Sequence, residues 1–232
     1  MKVLLFDTFG TLVDWRTSLI VALTDFGRQK GRQIAAAELV DRWRAAYEPM
    51  MDRVRKGKLA WTDLDALHRS ALTEILPDFQ LSDLTAAEID QLTLGWHRLS
   101  PWPDTVGGLT RLKRRFVLAP LSNGNFSLLV DLSRYAGLPW DAILGADLFK
   151  HYKPDPETYL GACDLLKLPP AEVMLVAAHN YDLGAARVLG LKTAFVPRPT
   201  EYGPHQSKDF GPEGDWDFVA RDLIELAGFL EC

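Results

Sequence analysis

Three polar clusters along this chain each follow directly on an apolar run. Asp7-Thr8-Phe9-Gly10-Thr11 follows Val3 to Phe6. Ser122-Asn123-Gly124 follows Phe116 to Leu121, and His179-Asn180-Tyr181-Asp182 follows Val173 to Ala178. Between the last two stand Lys153-Pro154-Asp155-Pro156 and then Tyr159. Together they offer a carboxylate nucleophile in Asp7, a cation in Lys153, hydroxyl and amide donors, and a second carboxylate in Asp182. Such a set suits covalent catalysis, in which a carboxylate attacks and nearby donors hold developing charge.

That chemistry requires a fold that brings the clusters together. The apolar runs are continuous and rich in β-formers, as in strands buried on both faces of a parallel sheet. Thr193 to Val196 is a fourth such run. Helical spacing marks Leu128 to Ala136 and Pro156 to Leu166, and a helix from Asp182 to Leu189 is closed by Gly190. Strands alternating with helices predict an α/β fold with a Rossmann-like parallel sheet. In open parallel sheets ligands bind outside the carboxyl ends of the strands, which is where all three clusters stand.

The stretch from Trp15 to Leu99 has a different pattern. Leu19, Leu23 and Phe26, then Leu39, Trp43, Ala46 and Tyr47, then Leu64, Leu67, Ala71 and Ile75 recur at helical spacing. Four or five helices are expected here, closed by Pro101-Trp102-Pro103-Asp104. The expected organisation is a discontinuous core of residues 1–15 and 98–232 with a helical cap of residues 16–97. Thr200 to Asp217 is rich in Gly, Pro and charge and is expected to be a loop.

Composition narrows the function further. The chain has 232 residues, 47% of them apolar and 25% charged, enough for a packed core without disulfides. Its net charge of −5 argues against nucleic acid or an anionic membrane as the main partner, but leaves room for a small anionic ligand. The two cysteines, Cys163 and Cys232, have no metal-site spacing. No run approaches the roughly 20 apolar residues of a membrane span. Asp7 cuts the first apolar run short of a signal peptide's, so a cytoplasmic protein is expected.

The four motifs, in this order and with a helical insertion after the first, resemble those of the haloacid dehalogenase superfamily. The match spans nearly the whole chain. Most members are magnesium-dependent phosphatases, with a second Asp two residues after the nucleophile and an acidic magnesium ligand four residues before the Asp of the fourth motif. Here those positions are Phe9 and Ala178. A hard cation needs oxygen ligands and a phosphate ester's leaving group needs an acid. Both departures point away from phosphatase chemistry.

They fit the L-2-haloacid dehalogenase branch, which is similar in its aromatic residue at the Phe9 position, its Ser-Asn-Gly second motif and its cap Trp-Arg pair, here Trp43-Arg44. Tyr159 also matches, and the resemblance implies that it contacts substrate or halide. The resemblance implies that Asp7 displaces halide from a 2-haloacid carboxylate to form an ester, which water, positioned by Asp182, then hydrolyses. Lys153 would hold both carboxylates ionised. Arg44 and Asn123, with edges from Phe9 and Trp61, would receive the halide. Ser122 and Thr11 would hold the substrate carboxylate or an oxyanion. No cofactor or metal is implied, and a homodimer is.

The fourth motif departs from the branch, which carries Ser and Asn where this chain has Ala177-Ala178-His179-Asn180. His179 or Asn180 must supply the missing hydrogen bonds. His179 either orients the water, contacts the halide or tunes Asp182. Two other functions stay open at this point: a magnesium-dependent phosphatase with unusual ligands, and a non-catalytic binding protein on the same fold.

Overall fold

The computed structural model describes residues 1–232. The chain opens with strand β1 (Val3–Phe6) and the short β2 (Val13–Asp14). Five helices follow: α1 (Trp15–Gln29), α2 (Ala36–Ala45), α3 (Tyr47–Arg55), α4 (Leu64–Ile75) and α5 (Ala86–Thr93). Strand β3 (Ser100–Pro101) then pairs antiparallel with β2, Val13 opposite Pro101. This two-stranded clip brings the beginning and end of the helical insertion to one point.

The rest of the chain alternates as expected. It runs through α6 (Thr105–Leu112), β4 (Val117–Ser122), α7 (Phe126–Ala136), β5 (Leu144–Gly145), α8 (Ala146–Phe149), α9 (Pro156–Leu166) and β6 (Val173–Ala177). It ends with α10 (Asn180–Val188), β7 (Lys192–Phe195), β8 (Phe218–Val219) and α11 (Leu223–Phe229). The main sheet is six-stranded and parallel, in the order β5-β4-β1-β6-β7-β8. No helix is long and apolar enough to cross a membrane.

β1 lies between β4 and β6, the point where the strand order reverses. Phe6 pairs with Pro120 on one side and Val176 on the other. The next residues of all three strands therefore emerge together at one edge of the sheet, the usual place for a ligand crevice. Alternation along the strands divides the core. Leu4, Phe6, Leu118, Met174 and Val176 face one apolar cluster, and Val3, Leu5, Ala119, Leu121 and Leu175 face the other. The first cluster continues without a break into the insertion through Phe9, Trp15, Trp43 and Trp96. Trp96 stacks on Trp15 and meets Trp43 edge-on, with centroids 6.2 and 5.6 Å apart.

Candidate active site

Asp7 leaves the end of β1 with its N–H bonded to the Val176 carbonyl of β6 at 3.0 Å. Gly10, at φ +86°, folds the chain back in a conformation that favours glycine. That turn sets Thr11 over the nucleophile position. Its hydroxyl donates to Asp7 Oδ2 at 2.7 Å and accepts from the Ala178 N–H at 2.9 Å. Lys153, 3% exposed, reaches Asp7 Oδ1 at 2.8 Å and Asp182 Oδ2 at 2.5 Å. The Asn123 side-chain oxygen, at the end of β4, accepts from the Lys153 backbone N–H at 2.7 Å. From α9 the Tyr159 hydroxyl donates to Asp182 Oδ1 at 2.5 Å.

His179, at the start of α10, completes the cluster. Its Nδ1 is 3.1 Å from Asp7 Oδ2 and its Nε2 2.9 Å from Glu201 Oε2. Glu201 is 1% exposed and accepts from Trp15 Nε1–H at 3.0 Å through its other oxygen. Both imidazole nitrogens thus face carboxylate oxygens. An ionised carboxylate can only accept, so both nitrogens carry hydrogen in this arrangement.

The charges follow from these contacts. Burial opposes the Asp7 charge, but Lys153 and His179 outweigh it and hold the carboxyl well below the usual range. Burial likewise opposes the His179 charge, and Glu201 and Asp7 overcome it and hold the imidazole well above its ordinary value. For Asp182, burial prevails together with the like charge of Asp7, and its value is raised despite Lys153.

A cleft of about 440 Å³ opens above this cluster, lined by Lys153 and His179 below and by Arg44, Tyr47, Trp15 and Tyr181 around it. The Arg44 guanidinium, from α2, lies 4.0 Å from the Tyr47 ring centroid and 5.3 Å from that of Trp15. Its Nη1 is buried without a protein partner. Phe9, beneath the insertion, meets Trp96 edge-on at 5.7 Å.

Comparison with known proteins identifies the family. Residues 1–190 match the family model of haloacid dehalogenase-like hydrolases. The (S)-2-haloacid dehalogenase 1 of Pseudomonas sp. (strain CBS-3) is 35% identical over 209 residues, covering 87% of this chain and 88% of that protein. The chain belongs to the haloacid dehalogenase-like hydrolases. Among solved structures of this family, the L-2-haloacid dehalogenase PA0810 is 57% identical with a TM-score of 0.97, over 100% of this chain and 99% of that one. The defluorinating L-2-haloacid dehalogenase Rha0230 is 46% identical with a TM-score of 0.97, over 100% and 96%.

Within this haloacid dehalogenase-like chain, Asp7, Lys153, Asp182, His179 and Thr11 form one hydrogen-bonded cluster with Tyr159, and Asn123 joins it through Lys153. Ser122 Oγ, beside Asn123, accepts from the Gly124 N–H and keeps its proton to donate. Arg44 lines the cleft, whereas Phe9 is buried against Trp96 and is not among the lining residues.

Other expectations need correction. Thr11 uses its proton on Asp7 and a lone pair on the Ala178 N–H, which sets aside the substrate-carboxylate half of its expectation and keeps the oxyanion half. Tyr159 is fully buried with its hydroxyl on Asp182, and serves that carboxylate instead of a halide. Asp182 is 0% exposed, and its two oxygens accept from Lys153 and Tyr159. Asn180 is saturated by Asp209, Gly211, Glu213 and Trp216, away from Asp7. Trp61 packs against Tyr152 with ring centroids 4.9 Å apart and planes tilted by 30°, and it takes no part in lining the cleft. His179 contacts Asp7, not Asp182.

The sequence reading also missed Glu201, Tyr47 and Trp15. Tyr47 and Trp15 carried only a helical-packing signal. Glu201 lies in the Gly- and Pro-rich loop after β7. Its single trace in the sequence is indirect: a Cβ at Gly10 would run into the Glu201 carboxylate.

Proposed function

We propose that this chain hydrolyses short (S)-2-haloacids to (R)-2-hydroxy acids and halide. In this reading residues 1–15 and 98–232 form the catalytic core and residues 16–97 the cap. The Asp7 carboxylate attacks C2 in line, the carbon–halogen bond breaks, and halide leaves with the bonding pair. A halide needs donors, not a proton, which suits an aromatic Phe9 where a phosphatase would hold its acid. Water then hydrolyses the Asp7 ester. Arg44 is placed to pair with the substrate carboxylate, with Ser122 and the amide N–H groups of Asn123 as further donors.

The environment of Asp7 carries this reading. It is a buried carboxylate kept ionised by Lys153 and bonded to two residues that line the cleft, Lys153 and His179, opposite a guanidinium without a protein partner. The (S)-2-haloacid dehalogenase names of similar chains support it. The donor set does not suit a magnesium ion. Both oxygens of Asp7 and both of Asp182 are already engaged by Lys153, His179, Thr11 and Tyr159, and Ala178 offers no ligand oxygen from its side chain.

The test is halide release from (S)- and (R)-2-chloropropionate, with a chelator present, beside an aryl phosphate with magnesium. Fluoroacetate belongs in the same assay, since one similar structure is a defluorinating enzyme. The expected outcome is metal-independent halide release from the (S) acid, with (R)-lactate as product. Phosphate release without halide release would overturn the reading.

A further inference from the structure

The two oxygens of Asp7 are not equivalent. Oδ1 accepts a single donor, Lys153 Nζ, and keeps a lone pair. Oδ2 accepts two, the Thr11 hydroxyl at 2.7 Å and His179 Nδ1–H at 3.1 Å, which saturates it. From this asymmetry we infer that Oδ1 is the attacking oxygen, and that Thr11 and His179, locked in place by Glu201, form the oxyanion hole for hydrolysis of the ester.

The inference rests on the dehalogenase reading and follows its atoms through the second half-reaction. Oδ1 bonds to C2 as halide departs, so Oδ2 becomes the ester carbonyl oxygen. Water adds to Cγ and the carbonyl pair moves onto Oδ2. The resulting oxyanion sits where two donors already point, so no reorganisation is needed. On collapse the Cγ–Oδ1 bond breaks and Oδ1 leaves as the product hydroxyl. The attacking water supplies the new carboxylate oxygen. One of its protons goes to the product and the other to solvent. The balance is one haloacid and one water to one hydroxy acid, one halide and one proton.

Glu201 is a positioning residue in this scheme. It touches neither substrate nor Asp7. Its carboxylate, fixed by Trp15 Nε1–H at 3.0 Å, accepts from His179 Nε2–H and sets the ring with Nδ1–H on Asp7. Its charge also keeps the imidazole protonated after alkylation, when the charge of Asp7 is gone. The groups around His179 are Asp7 with its Lys153, Glu201 with Arg44 beyond it, and Tyr181 on its own helix, with ring centroids 5.9 Å apart. The absent side chain of Gly10 leaves the space Glu201 occupies.

The experiment compares wild type, Glu201→Gln, Glu201→Asp and Thr11→Val with (S)-2-chloropropionate, reading the halide burst, the steady-state rate and the Asp7 ester by intact-protein mass. In Glu201→Gln the burst stays near one halide per site at an undiminished rate. The steady state falls by about 10²-fold, a typical value for an oxyanion donor, and the ester accumulates. Its kcat falls as pH rises through the ordinary histidine range, where the wild type's does not, because an unsupported imidazolium deprotonates and stops donating. Glu201→Asp restores part of the rate. Thr11→Val, which removes the other donor, also accumulates ester, and it decides the matter should Glu201→Gln not fold. A kcat of Glu201→Gln that rises with pH would make His179 a base and overturn the inference. So would equal slowing of burst and steady state, or no slowing at all. Absence of any halide or ester with the wild type would instead overturn the dehalogenase reading itself.

Discussion

The two walls of the cleft are built on opposite plans. On the sheet side every charge has a partner: Asp7, Lys153, Asp182, His179 and Glu201 form an unbroken chain of contacts between 2.5 and 3.1 Å. On the helical side several polar atoms are buried without protein partners: Arg44 Nη1, both nitrogens of His68, and Trp96 Nε1. His68 is pushed down to about 3, chiefly by burial with Arg44 adding to it, so it stays neutral. A buried donor without a partner costs about 1–3 kcal/mol. The sheet side is preorganised machinery whose charged groups satisfy one another. On the helical side Arg44 alone of these groups lines the cleft, where it is open to an anion.

Breaking the sheet side at its reacting atom has the largest effect. Asp7→Asn removes the nucleophile, and halide release measured by electrode falls by about 10⁴-fold or more. The binding side survives this change, so 2-chloropropionate still binds with an affinity set by Arg44. Retained turnover would show that the two walls had been assigned the wrong way round.

Lys153→Met tests the interdependence of the sheet side. It leaves Asp7 and Asp182 as neighbouring buried carboxylates without their cation, which costs about 3–5 kcal/mol in urea unfolding. The sign with pH follows. In wild type the depressed Asp7 contributes stability above the ordinary carboxylate range, lost only in strong acid. In the variant Asp182, already raised in wild type, loses the cation that opposed the rise, while His179 still faces Asp7. The protonated form of Asp182 then favours the fold in acid, and that contribution is lost as pH rises. The deficit relative to wild type is therefore larger at pH 8 than at pH 5.

The helical side answers differently. Arg44→Ala removes a guanidinium that has no acidic partner at hydrogen-bond distance, so unfolding changes little. The ligand loses a charged hydrogen bond worth about 1.5–3 kcal/mol, seen as a fall of about 10²-fold in kcat/KM, mostly in KM. Arg44→Lys recovers part of the loss, since Lys keeps the charge without the planar fork. A large loss of stability in Arg44→Ala would erase the distinction between the walls.

These two plans were unequally legible in the sequence. β1, β4, β6 and β7 are continuous apolar runs, and their polar ends name Asp7, Ser122, Asn123 and His179 directly. The two-residue strands β5 and β8 are too short to carry a pattern, and the pairing that defines them is tertiary. Glu201 was hidden because it reaches the site through a loop with no periodicity, and its partners Trp15 and His179 are 186 and 22 residues away. Arg44 stood out only by its adjacency to Trp43, yet its neighbours turn in other directions. Trp43 points into the core, with Nε1–H on the His68 carbonyl at 2.8 Å, and Arg42 pairs with Asp78 at the surface. Motif position alone says little about a hydroxyl's partner. The resemblance implies a substrate or halide contact for Tyr159, whose hydroxyl is consumed by Asp182, and the Thr11 hydroxyl donates to Asp7 rather than to a substrate carboxylate.

The smallest effect on chemistry comes from Asn180, which directly follows His179. Its amide donates to Asp209 Oδ1 at 2.9 Å and to the Gly211 carbonyl at 3.0 Å. Its oxygen accepts from the Glu213 N–H and Trp216 Nε1–H. All four bonds pin the loop of residues 209–216 to the start of α10, on the side away from the cleft. Asn180→Ala strands part of that network and costs about 2 kcal/mol of stability. Glu201 does not depend on it: Trp15 holds its carboxylate, and Arg198, bonded to Asp104 and the Thr11 carbonyl, anchors its loop. The expected result is a lowered urea midpoint with kcat per folded molecule unchanged. A fall in kcat with accumulation of the Asp7 ester would place the 209–216 loop in the same mechanical unit as Glu201, and would extend the fully partnered wall to the far side of α10.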